Sequence, residues 1–191
     1  TAFIVGDVSG HGIGPALIMS NVRAHLRSLL LTRKRLAGLY GFMNRALCED
    51  LADGMFVALF VGVYDSEAGV LEFQNAGQVP PLIYSPESDR VQEIQANAPA
   101  LGIIDEMSAG PCPQARIKPG DYLLCVTDGV TEAPDRRGNL YGEERVHDLF
   151  RKLAKEGLEP TAIVEAIRED LQNHTDGGAA RDDVTIVAVR F

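Results

Sequence analysis

The chain has 191 residues, of which 46% are hydrophobic and 24% charged, and its formal net charge at pH 7 is −9. This length suits one domain with a substantial core. The acidic balance argues against a general binder of nucleic-acid backbones, because such binding rests on clustered Lys and Arg. The basic run Arg33–Arg35 is too short to reverse that balance, and we expect it to be a solvated helix end or turn.

The cysteines and the apolar runs indicate where the protein works. Cys48, Cys112 and Cys125 are odd in number and lack CxxC spacing, which favours neither a disulfide framework nor a thiolate zinc site. We therefore expect a reduced, cytoplasmic setting, with Cys125 as a small core residue. No apolar run reaches the roughly 18 to 20 residues of a membrane span, and no signal peptide pattern opens the chain. The sequence predicts a soluble protein.

The beginning of the chain predicts an interior strand without any lead-in. Thr1–Val5 is apolar from its second residue and carries neither a cap nor an initiator methionine. We expect the chain to be an excerpt of a larger multidomain protein whose upstream sequence supplies further strands of the same sheet.

Helical and extended patterns then follow one another along the chain. Strands are predicted at 2–5, 55–64, 70–75, 82–84, 91–94, 122–126 and 185–189, and helices at 12–31, 36–51, 143–155 and 160–173. The stretch 96–113 is rich in Pro, Gly and Ala and is predicted to be a loop. Hairpin-connected strands with segregated helices are typical of an α+β fold rather than of a doubly wound parallel sheet. No internal repeat or interdomain linker is visible, so we predict a single domain over 1–191.

Three short acidic turns each place an aspartate at one end of a predicted strand. Asp7 and Asp128 follow apolar runs, and Asp182 precedes one. A carboxylate that leaves solvent loses several kcal/mol of hydration unless a cation or hydrogen-bond donors compensate. Mg²⁺ and Mn²⁺ prefer such oxygen ligands. The three turns therefore suggest one shared cation site.

The same turns belong to four motifs that stand in a fixed order. These are Gly6-Asp7-Val8-Ser9-Gly10-His11-Gly12 with Gly14-Pro15-Ala16, Asn75-Ala76-Gly77-Gln78-Val79-Pro80-Pro81, Thr127-Asp128-Gly129-Val130-Thr131-Glu132-Ala133 and Asp182-Asp183-Val184-Thr185-Ile186. Together they resemble the metal-dependent PPM protein serine/threonine phosphatases, in particular the bacterial SpoIIE-like and RsbU-like branch. The resemblance covers nearly the whole chain, and it implies two packed antiparallel β-sheets flanked by helix pairs.

The resemblance also implies a centre of two Mn²⁺ or Mg²⁺ ions. By position, Asp7 is similar to the carboxylate that bridges both metals, and the Val8 carbonyl is similar to the backbone ligand. Asp128 and Asp182 are similar to the remaining ligands of one metal. Asp53 is similar to the aspartate that holds a weak third metal in some bacterial members.

The chemistry that the resemblance implies is hydrolysis without a covalent phosphoenzyme. A water that bridges two divalent ions becomes hydroxide near neutral pH and attacks the phosphorus of phosphoserine or phosphothreonine in line. His11 is the candidate acid that protonates the departing oxygen. The chain departs from the family pattern at two points. The family takes a further acidic ligand from a strand that precedes the first motif, and Gln78 stands where this branch commonly has histidine.

Simpler interpretations exist for several of these residues. Asp7 and Asp128 are also typical turn formers, and His11 is as easily a loop residue as an acid. Asp183 is expected to order its loop, because neighbouring side chains on a strand point to opposite faces. Surface or packing roles are expected for the other three histidines, His25, His147 and His174. The leucines at 29–31 are expected in the core, with a regulatory contact as the alternative.

The sequence thus predicts a metal-dependent protein serine/threonine phosphatase. The resemblance implies a phosphorylated anti-sigma factor antagonist of the STAS type as substrate and an upstream sensory or receiver domain as regulator. A catalytically silent binding module of the same fold is the main alternative, and a hydrolase of small phosphate esters is a third. Nucleotide triphosphate chemistry is disfavoured, since no Gly-x-x-x-x-Gly-Lys-Ser/Thr loop is present. The oligomeric state stays open, a homodimer included.

Overall fold

The computed structural model describes residues 1–32, 36–52, 54–107, 112–178 and 182–191. Internal contacts divide the chain into two compact units. Unit 1 comprises Thr1–Gln78 and Ala96–Arg116, and unit 2 comprises Val79–Gln95 and Ile117–Phe191. The basic run at 33–35 and the aspartate at 53 lie outside the described residues, so the expectations for them stay predictions, as does the single-domain organisation.

Unit 1 contains an antiparallel four-stranded sheet and two helices. Its elements are β1 (Ala2–Val8), α1 (Ile13–Thr32), α2 (Leu39–Cys48), β2 (Val57–Asp65), β3 (Val70–Ala76) and, after two strands of unit 2, β6 (Gln114–Arg116). The strand order is β1-β2-β3-β6. The apolar faces of both helices pack on β2, with Val22, Leu26, Met43 and Leu47 buried in this core. Within the described residues, β1 therefore lies at one end of this strand order, beside β2.

Unit 2 contains the second antiparallel four-stranded sheet. Its elements are β4 (Leu82–Ser85), β5 (Arg90–Glu93), β7 (Tyr122–Val126), α3 (Asp128–Thr131), α4 (Glu143–Lys155), α5 (Pro160–His174) and β8 (Ile186–Arg190). The strand order is β5-β4-β7-β8, and Val126 at the end of β7 lies opposite Ile186 at the start of β8. This antiparallel register brings the segment after β7 beside the segment before β8.

The predicted order of strands and helices is confirmed, with differences in detail. The second helix is shorter than predicted, because Gly38 has a φ of 78° and the helix begins only after it. Two short elements were not predicted. The three-residue strand β6 is too short and polar to show an alternating pattern, and the four-residue helix α3 is a single turn. None of the helices in the described residues combines the length and the apolarity that crossing a bilayer requires.

The expectations for core residues are confirmed where the structure describes them. Cys125 lies buried in β7, and burial raises the pKa of its thiol to about 12, so it stays protonated at neutral pH. Leu29 is buried and Leu30 packs against the same cluster in unit 1. Cys125 and these leucines therefore serve packing.

A buried tyrosine joins two neighbouring strands of unit 1. The Tyr40 hydroxyl lies 2.7 Å from the carbonyl oxygen of Leu59 in β2 and 2.6 Å from that of Gln74 in β3. Tyr40→Phe removes a hydrogen bond from a buried site, so we expect the free energy of unfolding to fall by about 1 to 2 kcal/mol. Urea denaturation followed by circular dichroism measures this change.

Tyr122→Phe is the matched control for Tyr40→Phe. The Tyr122 ring is also buried, but its hydroxyl finds no hydrogen-bond partner among the described residues. Removing a buried polar group without a partner is expected to leave stability unchanged or slightly higher. If both variants lost the same stability, the loss would reflect the removal of any buried hydroxyl, and the hydrogen bond of Tyr40 would not be its cause.

Candidate metal centre

The first candidate ligand lies near the end of β1 in unit 1. Asp7 is half-buried and pairs opposite Ala58, and Val8, which follows it, is buried. The loop that continues from β1 is fastened by Ser9. The Ser9 N–H donates to the Phe56 carbonyl at 3.0 Å, and the Phe56 N–H donates to Ser9 Oγ at 2.9 Å. These bonds fix the backbone on the side of Asp7 that leads to His11.

His11 is exposed between β1 and α1. Its neighbours Gly10 and Gly12 have φ values of 90° and 97°, a region that favours glycine. The Gly12 carbonyl accepts the Ala16 N–H at 3.2 Å at the start of α1. The two glycines thus turn the chain from strand to helix, and His11 lies exposed between them.

The other two candidate ligands lie together in unit 2. Asp128 is the first residue of α3, and its Oδ1 accepts the Gly129 N–H at 2.9 Å. Asp182 precedes β8, and its Oδ1 accepts the Asp183 N–H at 2.8 Å. Asp128 and Asp182 each offer a carboxylate oxygen, and these oxygens lie within 4.8 Å of one another. A carboxylate has about four acceptor positions, so both retain the capacity to bind a cation.

This donor set fits Mg²⁺ or Mn²⁺. Both cations take carboxylate oxygens as ligands, and neither prefers the sulfur or nitrogen of soft sites. Two carboxylates at such a distance repel each other, and a divalent cation between them replaces the repulsion by attraction. Unit 2 therefore contributes Asp128 and Asp182 as a pair, and Asp7 belongs to unit 1.

Two residues beside Asp128 were not singled out from the sequence. Thr127 is buried, and its hydroxyl donates to the Asp183 carbonyl at 3.0 Å. Gly129 packs so closely that an added Cβ would lie 2.3 Å from the same carbonyl oxygen. The Thr-Asp-Gly order of the third motif was the available signal, but only the structure shows what lies opposite it.

Gln78 closes a turn at the end of unit 1. Its N–H donates to Asn75 Oδ1 at 2.9 Å, its carbonyl accepts from Asn75 Nδ2 at 3.1 Å, and the residue is buried. Gly77, between them, has a φ of 70°. The backbone of Gln78 is therefore part of a tight turn, whichever side chain the position carries.

Two of the other histidines have packing partners. His25 meets the edge of the Phe42 ring, and His174 contacts the Tyr141 ring edge-on and lies 3.2 Å from Arg145. Arg145 donates to Asp170 and holds the pKa of that carboxyl below its usual range. The expectation of packing roles agrees with these contacts. His147 lies half-exposed beside a carboxylate of its own helix.

Comparison with protein families and with known proteins finds relatives over the whole chain. The family model described as stage II sporulation protein E (SpoIIE) matches residues 1–191. The phosphoserine phosphatase RsbU of Bacillus subtilis is 26% identical over 188 residues, covering 97% of this chain and 54% of RsbU. Protein IcfG of Synechocystis sp. is 28% identical over 217 residues, covering 98% of this chain and 33% of IcfG. This chain thus spans about a third to a half of these relatives.

Solved structures give the same picture of the fold. The SiaA-PP2C domain of Pseudomonas aeruginosa is similar with a TM-score of 0.83 and 24% identity, covering 100% of this chain and 75% of that one. The PP2C phosphatase domain of SpoIIE from Bacillus subtilis has a TM-score of 0.78 and 25% identity, covering 100% of this chain and 54% of that one. The predicted α+β fold class with two antiparallel sheets is confirmed.

Proposed function

The chain belongs to the SpoIIE family, whose solved relatives are PP2C phosphatase domains, and from this premise we propose that it is a metal-dependent phosphatase of phosphoserine or phosphothreonine in a protein. One observation carries the proposal. Within unit 2, Asp128 and Asp182 hold carboxylate oxygens within 4.8 Å of one another, and both belong to motifs of the family. Divalent cations held by carboxylate oxygens are suited to catalysing the hydrolysis of phosphate esters.

We assign the metal ligands by the order of the motifs. Asp7 and the Val8 carbonyl serve from the end of β1, and Asp128 and Asp182 serve from unit 2. When two Mn²⁺ or Mg²⁺ ions are bound, they supply an acidified water for in-line attack and neutralise charge on the phosphoryl oxygens. A third ion, bound more weakly, belongs to the same proposal. The fixed loop at Ser9 and the paired strands β7 and β8 hold the ligand backbones before any cation arrives, which lowers the cost of binding.

His11 is the proposed acid for the leaving group. A serine or threonine oxygen that departs from phosphorus needs a proton, and an imidazole is the side chain best suited to give one near neutral pH. His11 is exposed four residues after Asp7, so a substrate side chain in solution can reach it. The glycines on both sides of it give the loop room for a protein substrate.

We propose the substrate and the biological setting from the resemblance to the SpoIIE-like and RsbU-like branch. The relative RsbU is itself named a phosphoserine phosphatase, and we propose that this chain acts in bacterial signalling, in the cytoplasm, on a STAS-type anti-sigma factor antagonist. A sensory or receiver domain outside this chain is the proposed regulator. Nucleic acid is not a proposed partner, since the net charge is −9.

Removal of the metal tests the proposed function. With a phosphorylated STAS-type protein as substrate, we expect Mn²⁺-dependent phosphate release that falls at least about a hundredfold in a chelator, because the metals supply several kcal/mol of transition-state stabilisation. Release is measured with malachite green. Re-addition of Mn²⁺ is expected to restore the rate.

One further substrate and one binding measurement separate this function from its alternatives. A sugar phosphate that turned over faster than the phosphoprotein would favour a hydrolase of small esters. An intact fold that binds the phosphoprotein in Mn²⁺ without releasing phosphate would favour a silent binding module, an alternative that draws on Gln78 in place of the branch's histidine.

A further inference from the structure

Thr127 lies one residue beyond the β7–β8 ladder and immediately before Asp128. Its N–H donates to the Thr185 carbonyl at 3.2 Å, which extends the ladder by one step. Its hydroxyl donates to the Asp183 carbonyl at 3.0 Å and accepts the Thr185 N–H at 3.0 Å. One buried residue thus makes three hydrogen bonds to the segment that directly follows Asp182.

The hydroxyl of Thr127 both donates and accepts a hydrogen bond at this position. A hydroxyl has one hydrogen to donate and lone pairs to accept, and here the donor goes to Asp183 and an acceptor position goes to Thr185. The residue is 2% exposed, so water does not readily replace its hydroxyl as a hydrogen-bond partner. The two backbone groups that it satisfies lie one and three residues after Asp182.

Asp182 itself is exposed and begins the segment that leads to β8. Its carboxylate accepts the N–H of Asp183, so its direction follows the peptide that joins Asp182 to Asp183. Thr127 holds the carbonyl of Asp183, which belongs to the next peptide along the chain. The position of the Asp182 carboxylate therefore depends on a bond made from the residue next to Asp128.

We propose that Thr127 is a positioning residue of the metal centre, whose hydroxyl sets the Asp182 carboxylate at the distance from Asp128 that a shared cation needs. This inference rests on the proposed function, since it concerns the same centre. Thr127 is no ligand in this proposal. It acts through the Asp183 carbonyl and the Thr185 N–H, and partners of ligands of this kind typically change metal affinity by about 10 to 100 times.

Thr127→Val and Thr127→Ser test the inference as a pair. Valine keeps the shape and loses the hydroxyl, whereas serine keeps the hydroxyl and loses a methyl group. With Mn²⁺ as the probe, free Mn²⁺ is measured by electron paramagnetic resonance during titration. We expect Thr127→Val to weaken Mn²⁺ binding about tenfold or more and Thr127→Ser to stay within about threefold of the wild type. Thermal melting in the metal-free state shows that each variant is folded.

The outcomes separate the two proposals. Wild-type protein that is folded and binds no Mn²⁺ overturns the proposed function and the inference with it. Wild-type protein that binds Mn²⁺ while Thr127→Val binds it equally well overturns the inference alone. Equal weakening in Thr127→Ser and Thr127→Val also overturns it, because packing would then be the cause. If Thr127→Val does not fold, Thr127→Cys takes its place with the same expected loss, since a thiol is a weak donor and acceptor.

Discussion

Asp128→Asn and Asp182→Asn are each expected to lower Mn²⁺-dependent phosphate release by about a thousandfold. Each exchange replaces a charged oxygen ligand by a neutral amide, and loss of several kcal/mol of metal stabilisation corresponds to about three factors of ten in rate. Mn²⁺ binding is expected to weaken in parallel. The rate is measured under conditions of saturating phosphoprotein, and the binding constant by titration followed with electron paramagnetic resonance.

Asp183→Asn is the matched control, because it makes the same chemical change one residue from Asp182. The structure uses the backbone of Asp183, whose carbonyl accepts from Thr127 and whose N–H donates to Asp182. Neither bond involves its carboxylate. We expect its rate and its Mn²⁺ binding to stay within about threefold of the wild type, as for most exposed substitutions. A loss in Asp183→Asn equal to that in Asp182→Asn would mean that local charge, and not a ligand, is what matters.

The sequence predicted the fold well where the patterns were long. The helices at 143–155 and 160–173 carry strong amphipathic periodicity, and the structure has them at Glu143–Lys155 and Pro160–His174. The strand over 122–126 was equally clear, because five successive apolar residues lie buried in β7. Shorter elements carry too few residues to establish a period. This is why no strand was predicted at Gln114–Arg116, where one buried residue lies between two exposed ones.

The sequence singled out the candidate ligands but not the residues that support them. Asp128 and Asp182 are 54 residues apart in sequence, and motif order indicated that they act together. Thr127 and Gly129 matter through what lies across from them, namely the carbonyl of Asp183. Such a contact depends on the β7–β8 register, with Val126 opposite Ile186, and register is not visible in a single sequence. Prediction therefore finds charges at strand ends more readily than it finds the neutral groups that hold them.

Gly129→Ala is expected to disturb the metal centre by adding a close contact at the Asp183 carbonyl, whereas Thr127→Val removes a hydrogen bond from it. An added Cβ would lie 2.3 Å from the Asp183 carbonyl oxygen and 2.9 Å from its carbon, so the backbone before β8 has to move away. Forcing atoms into a packed site costs about 1 to 3 kcal/mol of stability. The movement carries Asp182 with it, and we expect Mn²⁺ binding to weaken about 10 to 100 times and phosphate release to fall with it.

Gly14→Ala is the control for adding a methyl group to a glycine. It lies in α1, an added Cβ there meets no atom within 4 Å, and alanine is the better helix former by up to about 1 kcal/mol, so its melting temperature is expected to stay or rise. Melting in the absence of metal and Mn²⁺ titration are measured for both variants. If Gly129→Ala loses stability but binds Mn²⁺ as the wild type does, the glycine serves packing alone. If its Mn²⁺ affinity falls by more than its loss of folded protein explains, the close approach of Gly129 to Asp183 helps to hold Asp128 and Asp182 together. An added methyl group and a missing hydrogen bond at the same carbonyl would then have the same consequence.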